Sequence, residues 1–253
     1  MSLWHETAGN GPDLVLLHGW GMNAGVWQLL LPALRERFRV TVIELPGHGA
    51  SSFDRQLDLD AWVDACLDVA PGKAAWVGWS LGGLIAQQAA LAEPTRCNSL
   101  CLVCSTPSFV QRDHWQTAMP PAVFDQFAQN LVDDPQVTLK RFLGLQVKGA
   151  EDARTVLRAL NDALTGRPPA DVQALQIGLS LLLETDLRDR LADLQVPVHW
   201  LFGGRDTLVP IVAERAIAAL MPRATHEVIE PAGHAPLLSH PQQSLQWLET
   251  NCG

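Results

Sequence analysis

Ala74-Ala-Trp-Val-Gly-Trp-Ser-Leu-Gly-Gly83 is a short apolar run that ends in a serine flanked by glycines and passes into a helix-forming segment. Residues 74–77 have the length and apolarity of a central strand, while residues 81–92 are rich in Leu, Ile, Ala and Gln until Pro94 stops the helix. The embedded Gly78-Trp79-Ser80-Leu81-Gly82 is a G-x-S-x-G pattern. Between a strand and a helix, that pattern is a turn so tight that the serine Oγ stands exposed above a parallel sheet. Glycines flank it because side chains there would collide, and Gly82, Gly83 and Ala86 let the following helix pack close. Ser80 is therefore the candidate nucleophile, and the stretch predicts an α/β fold.

Working outward, the same alternation appears on both sides. Leu3 to Thr7 reads as an edge strand that turns at Gly9-Asn10-Gly11 into Leu14-Val-Leu-Leu17, a continuous apolar run of the parallel-sheet kind. Trp27, Leu30, Leu31 and Leu34 then share one helical face before a strand at Arg39 to Glu44. Leu59, Trp62, Val63 and Cys66 repeat the helical spacing behind Asp58, a candidate N-cap, and Ser99 to Val103 follows the elbow helix as a further strand. The result is a mostly parallel sheet with helices on both faces.

From residue 108 to 180 the alternation stops and only helical patterns remain, punctuated by Pro120-Pro121, Pro135, Gly149 and Pro168-Pro169. This predicts a helical cap inserted into a core of residues 1–107 and 181–253. Apolar faces at Phe124, Phe127 and Leu131, at Leu139, Phe142 and Leu143, and at Val156, Leu157, Leu160 and Leu164 are expected to build the cap's own core. Alternation resumes with a strand at Val198 to Phe202, a helix at Val212 to Met221, a strand at Thr225 to Ile229 and a last helix near Gln242 to Glu249.

A serine hydroxyl needs a general base within hydrogen-bond reach and a third group that fixes the base's tautomer. Asp206, after the Val198 strand, and His234, after the Thr225 strand, fall at the carboxyl ends of sheet strands, where an open α/β sheet places its site. The order Ser, Asp, His is that of hydrolases built on this elbow. The oxyanion hole is assigned to the backbone N–H groups of Leu81, just past the elbow, and Trp20, in His18-Gly-Trp-Gly21 after the Leu14 strand. Trp20 and Trp79 are read as pocket walls, and His18 and His48, in turn-rich loops, as structural hydrogen-bonding groups.

Composition narrows the class. At 253 residues, with 47% hydrophobic and 18% charged residues, the chain predicts one large soluble domain. No leader-like opening or membrane-length apolar run is present, so a cytoplasmic protein is expected. A net charge of −9 argues against general nucleic-acid affinity. Five cysteines are an odd number, and Cys101 and Cys104 are expected to face opposite sides of a strand, unsuited to sharing a metal. No cofactor or metal is expected, and a monomer is.

The motifs HGWG at 18–21, ELPGHGAS at 44–51, GWSLGG at 78–83, GGRD at 203–206 and GH at 233–234 resemble the α/β-hydrolase superfamily over the whole chain. Within it, HGWGMNAGVW, GWSLGGL, RFLGLQ at 141–146 and GHAPLLSHP at 233–241 resemble the pimeloyl-[acyl-carrier protein] methyl ester esterases of biotin synthesis. Glu44 stands where the superfamily usually has aspartate, and His240 where an acidic residue is common. The resemblance implies a carboxylesterase whose partner is an acyl-carrier protein. Its substrate pocket would be formed by Trp20, Ser80, Leu81, Phe142, Leu143, Gly144, Leu145, Gln146 and His234. Phe142, Leu143 and Leu145 would be walls and Gln146 a polar handle. Lys140 to Arg167 carries a local charge of +3, and Arg141, Arg154 and Arg158 match carrier-gripping positions of those esterases, whereas Val137 lies where a further arginine would stand. The same triad would also serve a general short-chain carboxylesterase or a C–C hydrolase. A non-catalytic ligand receptor is set aside because the triad is complete.

Overall fold

The computed structural model describes residues 2–54 and 58–253. Seven strands, β1 (His5–Ala8), β2 (Asp13–Leu17), β3 (Arg39–Ile43), β4 (Ala74–Trp79), β5 (Cys97–Val103), β6 (Val198–Gly203) and β7 (Thr225–Ile229), form one sheet in the order β1-β3-β2-β4-β5-β6-β7. Only β1 runs antiparallel to its neighbour. The chain steps from β2 outward to β3 and then returns to place β4 on the other flank of β2. The loops after β2 and β4 therefore leave the sheet side by side, at the topological switch point where such sheets bind ligands. Leu17 is paired with Gly78, so Trp20 and Ser80 each lie only a few residues beyond adjacent strand ends.

The helices are α1 (Leu31–Arg37), α2 (Leu59–Val69), α3 (Leu81–Ala92), α4 (Pro121–Asp133), α5 (Pro135–Gln146), α6 (Ala153–Thr165), α7 (Val172–Glu184), α8 (Val212–Leu220), α9 (Pro236–Ser239) and α10 (Pro241–Asn251). Side chains alternate across the pleat: Val15, Leu17 and Trp76 join one buried cluster with α2, α3 and α8, while Leu14, Leu16, Ala75 and Val77 join another with α1 and α10. Fully burying each Leu or Val of these strands contributes roughly 1.5–3 kcal/mol. Asp58 caps α2 as expected, its carboxylate accepting the Ala61 N–H at 2.8 Å.

Several expectations are corrected. Trp27, Leu30, Leu31 and Leu34 do not share one helix. A short 3-10 turn, Ala24–Trp27, is capped by Asn23, and α1 begins only at Leu31. Pro32 explains the break, since proline is tolerated only in a helix's first turn. The first strand starts at His5, leaving Leu3 buried ahead of it. α7 runs on to Glu184, past the expected cap boundary at residue 180. α4 to α7 also lack a private core: Phe124, Leu131 and Phe142 are continuous with one body cluster, and Leu143, Val156 and Leu160 with the other. Helices of 12–13 residues enclose too little between them and share the core beneath. Cys104 does not oppose Cys101, because β5 ends at Val103 and Cys104 turns with φ 43°, into the same cluster as Cys101.

The elbow is as crowded as its sequence implies. Ser80 has φ 54° and ψ −118°, a backbone region L-residues rarely adopt. A Cβ on Gly78 would overlap the Gly82 carbonyl oxygen and the Gly83 Cα. One on Gly82 would lie 2.5 Å from the carbonyl oxygens of Leu17 and His18. Gly78→Ala is accordingly expected to lower unfolding stability by about 3 kcal/mol, the upper end for forced overpacking. Urea denaturation checks this, and a loss under about 0.5 kcal/mol would mean that the elbow relaxes freely.

Candidate active site

Three strand ends carry the residues expected as the triad, and two of them, Asp206 and His234, are bonded to each other. Ser80 follows β4, held by its N–H to Val103 O at 3.0 Å and by its carbonyl, which accepts from Ser105 Oγ at 2.8 Å. Asp206 follows β6 through a turn in which its own N–H reaches Gly203 O. His234 follows β7, with its N–H on Gln146 O at 3.0 Å and its carbonyl accepting from Trp79 Nε1 at 2.8 Å. His234 Nδ1 donates to Asp206 Oδ2 at 2.7 Å, and Asp206 Oδ1 accepts from the N–H groups of Leu208 and Val209 at 2.8 and 3.0 Å. Together these contacts pin the carboxylate in one geometry; in the neutral ring the Nδ1–H tautomer that faces it puts the lone pair on Nε2, which is buried without a partner among the described residues. His240 is elsewhere: its Nδ1 meets Ser239 Oγ at 2.8 Å, at the start of α10.

The loop expected to supply the Trp20 oxyanion donor is held by two buried imidazoles. His18 Nδ1 donates to Gly19 O and its Nε2 accepts Leu45 N–H; His48 Nδ1 donates to Pro46 O and its Nε2 accepts Gly21 N–H at 3.2 Å. Those roles need neutral rings. Burial, then the neighbouring His48, holds His18 well below its ordinary pKa, and burial pushes His48 down to about 4. Met22 N–H turns back to Gly19 O, so the loop's amides are engaged around Trp20. Neither the Trp20 N–H nor the Leu81 N–H, first in α3, has a hydrogen-bond acceptor among the described residues. Gly19 packs against Ser80, since a Cβ there would be 3.3 Å from the Ser80 Cβ. Two such donors thus lie in the segments on either side of Ser80.

Trp20 and Trp79 brace the site from behind. Trp20 Nε1 donates to Leu175 O of α7 at 2.8 Å and its ring meets Phe142 edge-on at 4.7 Å, whereas Trp79 sits under His234. The cavity at Ser80 is instead walled by apolar side chains, chiefly Phe109, Phe124, Phe127, Phe142, Leu179 and Leu182. Of the expected pocket residues, only Phe142 and Ser80 line it. Leu143 points away into the body core beside Val156 and Leu160. Gly144 and Leu145 line an outer groove of about 580 Å³ with Gln126, Asn130 and Arg141. Gln146 is buried, bonded to His234 through its backbone while its Oε1 has no partner among the described residues. Val123 and Phe127 border both cavity and groove. The walls from α4 and α7 escape sequence reading because an inward and a core-facing apolar residue look alike.

Cys104 is a second omission. Its Sγ, an Asp206 carboxylate oxygen and a His234 ring nitrogen lie within 4.8 Å of one another. Burial, then the Asp206 charge, pushes this thiol well above its ordinary pKa, keeping it neutral. Asp206 and His234 are already bonded to each other, so the cluster reads as thiol packing against the pair.

A family profile described as alpha/beta hydrolase fold matches residues 12–241. The chain is similar to the pimeloyl-[acyl-carrier protein] methyl ester esterase of Photobacterium profundum, 42% identical over 248 residues, covering 98% of this chain and 97% of that protein. The protein of the same name from Methylococcus capsulatus is 41% identical and covers 96% of each. Among solved structures, an esterase from Exiguobacterium antarcticum superposes with a TM-score of 0.88 at 22% identity, over 98% of this chain and 94% of that one, a likeness of fold.

Proposed function

The chain belongs to the α/β hydrolase family and, within it, to the pimeloyl-[acyl-carrier protein] methyl ester esterases, and from that membership we propose how its site performs the reaction. The protein is a serine carboxylesterase that hydrolyses the methyl ester of pimeloyl-acyl-carrier-protein methyl ester, giving methanol and pimeloyl-acyl-carrier protein. The observation that carries the mechanism is the buried Asp206–His234 pair, with Nε2 unpartnered among the described residues, at strand ends that also present Ser80.

Ser80 Oγ attacks the ester carbonyl while His234 Nε2 takes its proton, a general-base step worth about 10²–10⁴-fold. Charge on the carbonyl oxygen is received by the N–H groups of Trp20 and Leu81; each such donor contributes about 2.7–4 kcal/mol to the transition state. Collapse of the tetrahedral intermediate expels methanol, which takes the proton from His234. Water then attacks the acyl-serine and gives one proton to His234; collapse returns that proton to Ser80 Oγ and releases the carboxylic acid, which loses its remaining proton to solvent.

Selectivity for the far ester over the more reactive thioester follows from shape. The cavity is apolar and admits a methylene chain, while the groove beyond Val123 and Phe127 is where a carrier-linked arm would emerge. The helices expected as a cap over 108–180 act as this lid. We place the carrier on the exposed Arg141, Arg154 and Arg158, the first at the groove and the others on one face of α6. Arg167, counted in the basic stretch, turns inward instead to Glu44. The protein is read as a cytoplasmic monomer in biotin synthesis; among the described residues no helix is long and apolar enough to cross a membrane.

Carrier-bound methyl pimelate tests this reading. Wild-type enzyme should release methanol and leave the thioester intact. Arg154→Glu with Arg158→Glu should cut kcat/KM for it about tenfold, with wild-type kcat/KM also falling as salt rises. Hydrolysis of a p-nitrophenyl ester should stay unchanged. Equal losses on both substrates would mean a damaged cap, and release of free pimelate monomethyl ester would overturn the orientation.

A further inference from the structure

Glu44, the departure from the usual aspartate, is fully buried directly after β3. A buried carboxylate needs its oxygens satisfied and its charge paired. Oε2 accepts the Ala50 N–H at 2.7 Å, and Oε1 accepts the Ala24 N–H at 3.1 Å. The charge is met by a residue far away in sequence: Arg167, just beyond the end of α6, places Nε 3.2 Å from Oε1 and lays its guanidinium 3.8 Å over the Trp4 ring. Gly49 is required here because a Cβ would strike the Glu44 carboxylate.

Ala24 opens the 3-10 turn that carries on from the oxyanion loop, and α6 sits directly on that turn. A Cβ on Gly25 would lie 2.7 Å from Ala163 O, and Ala163, Leu160 and Val156 of α6 share a cluster with Val26 and Trp27. The loop bearing Trp20 is thus fixed by His48 at Gly21, and by Glu44 at Ala24. Glu44 is held in turn by an arginine belonging to the lid.

We infer that Arg167 and Glu44 form a positioning latch, through which α6 sets the oxyanion loop and so the aim of the Trp20 N–H. Neither side chain touches substrate. The latch works by keeping one carboxylate on two backbone amides while a cation from the lid holds it there. The longer glutamate is what lets the carboxylate reach Arg167 as well as Ala24. α6 also carries Arg154 and Arg158, so the helix proposed to meet the carrier is the one that steadies the catalytic loop. The inference rests on the assignment of Trp20 N–H as an oxyanion donor.

The test uses p-nitrophenyl butyrate and a trifluoromethyl ketone, whose carbonyl adds Ser80 Oγ to form an oxyanion in the same hole. Arg167→Met should lower kcat per fluorophosphonate-titrated Ser80 about tenfold, leave KM within twofold, and weaken ketone affinity by about the same tenfold. Arg167→Lys, which restores a cation, should recover most of both. Should Arg167→Met fail to fold around an unpaired buried carboxylate, Glu44→Gln with Arg167→Met removes both charges. Its amide can accept from only one of the two backbone N–H groups, so the same joint loss is expected. A kcat within twofold of wild type in the folded variant, or a kcat loss with unchanged ketone affinity, overturns the latch. Wild-type turnover that Ser80→Ala lowers by several orders of magnitude keeps the serine-esterase reading in place in either event.

Discussion

Ser80→Ala should lower kcat by about six orders of magnitude, the scale on which removing the nucleophile of a serine triad acts in other enzymes. The protein should remain folded. The elbow is held by Ser80's backbone, bonded to Val103 O and Ser105 Oγ, and alanine meets the same strain at φ 54° that serine already bears. Residual turnover should not vanish, because the Trp20 and Leu81 N–H groups and the cavity still bind; such remnants exceed the uncatalysed rate by about 10³–10⁴. His234→Ala should be comparably damaging, whereas His240→Ala should leave kcat within a few-fold. His240 is occupied with Ser239 Oγ, and Asp206 is bonded to His234. If the two histidine variants, both folded, lost activity equally, the base would be misassigned. Single-turnover measurement with p-nitrophenyl butyrate separates the chemical step from product release.

The proposed triad can be read from the chain because each member is placed by local rules. Ser80 lies where a glycine-flanked strand meets a helix, and Asp206 and His234 follow apolar runs whose length and order define parallel strands. β7 and Asp58 as a cap match their expectations for the same reason. What is not legible depends on which side of a helix meets which neighbour. Phe142 and Leu143 are adjacent and equally apolar, yet one walls the cavity and the other enters the body core. Their spacing marks a buried arc without saying what lies against it. Arg167 reads in sequence as one more charge in a basic run, and only the fold shows it facing Glu44. Cys104 departs from its expected facing because nothing in a strand pattern announces a positive φ at its end. A signal for the latch does exist: an unusual glutamate in a loop of small residues demands a cation, though not a particular one.

Asp206→Asn isolates the remaining triad member without changing its shape. Asparagine's oxygen can stay on the Leu208 and Val209 N–H groups, which Asp206 Oδ1 now accepts at 2.8 and 3.0 Å. That orientation fixes the other half of the side chain: an NH₂ group must take the place of Oδ2, 2.7 Å from His234 Nδ1. An NH₂ donates and cannot accept. Nδ1 must then be the unprotonated nitrogen, and the neutral ring carries its proton on Nε2. The base is thereby presented to Ser80 in the wrong tautomer, with a hydrogen where a lone pair is needed. Turning the amide over would rescue the ring only by setting its NH₂ against two backbone N–H groups, both buried. Near neutral pH kcat should therefore fall about 10⁴-fold, as in other triads with this substitution, while the unfolding midpoint stays close to wild type. ¹⁵N chemical shifts of the His234 ring should report Nε2–H in the variant and Nδ1–H in the wild type. A loss under tenfold, with the ring still protonated on Nδ1, would show that the Trp79 and Gln146 contacts to the His234 backbone suffice to hold the base, and that Asp206 is not its orienting partner.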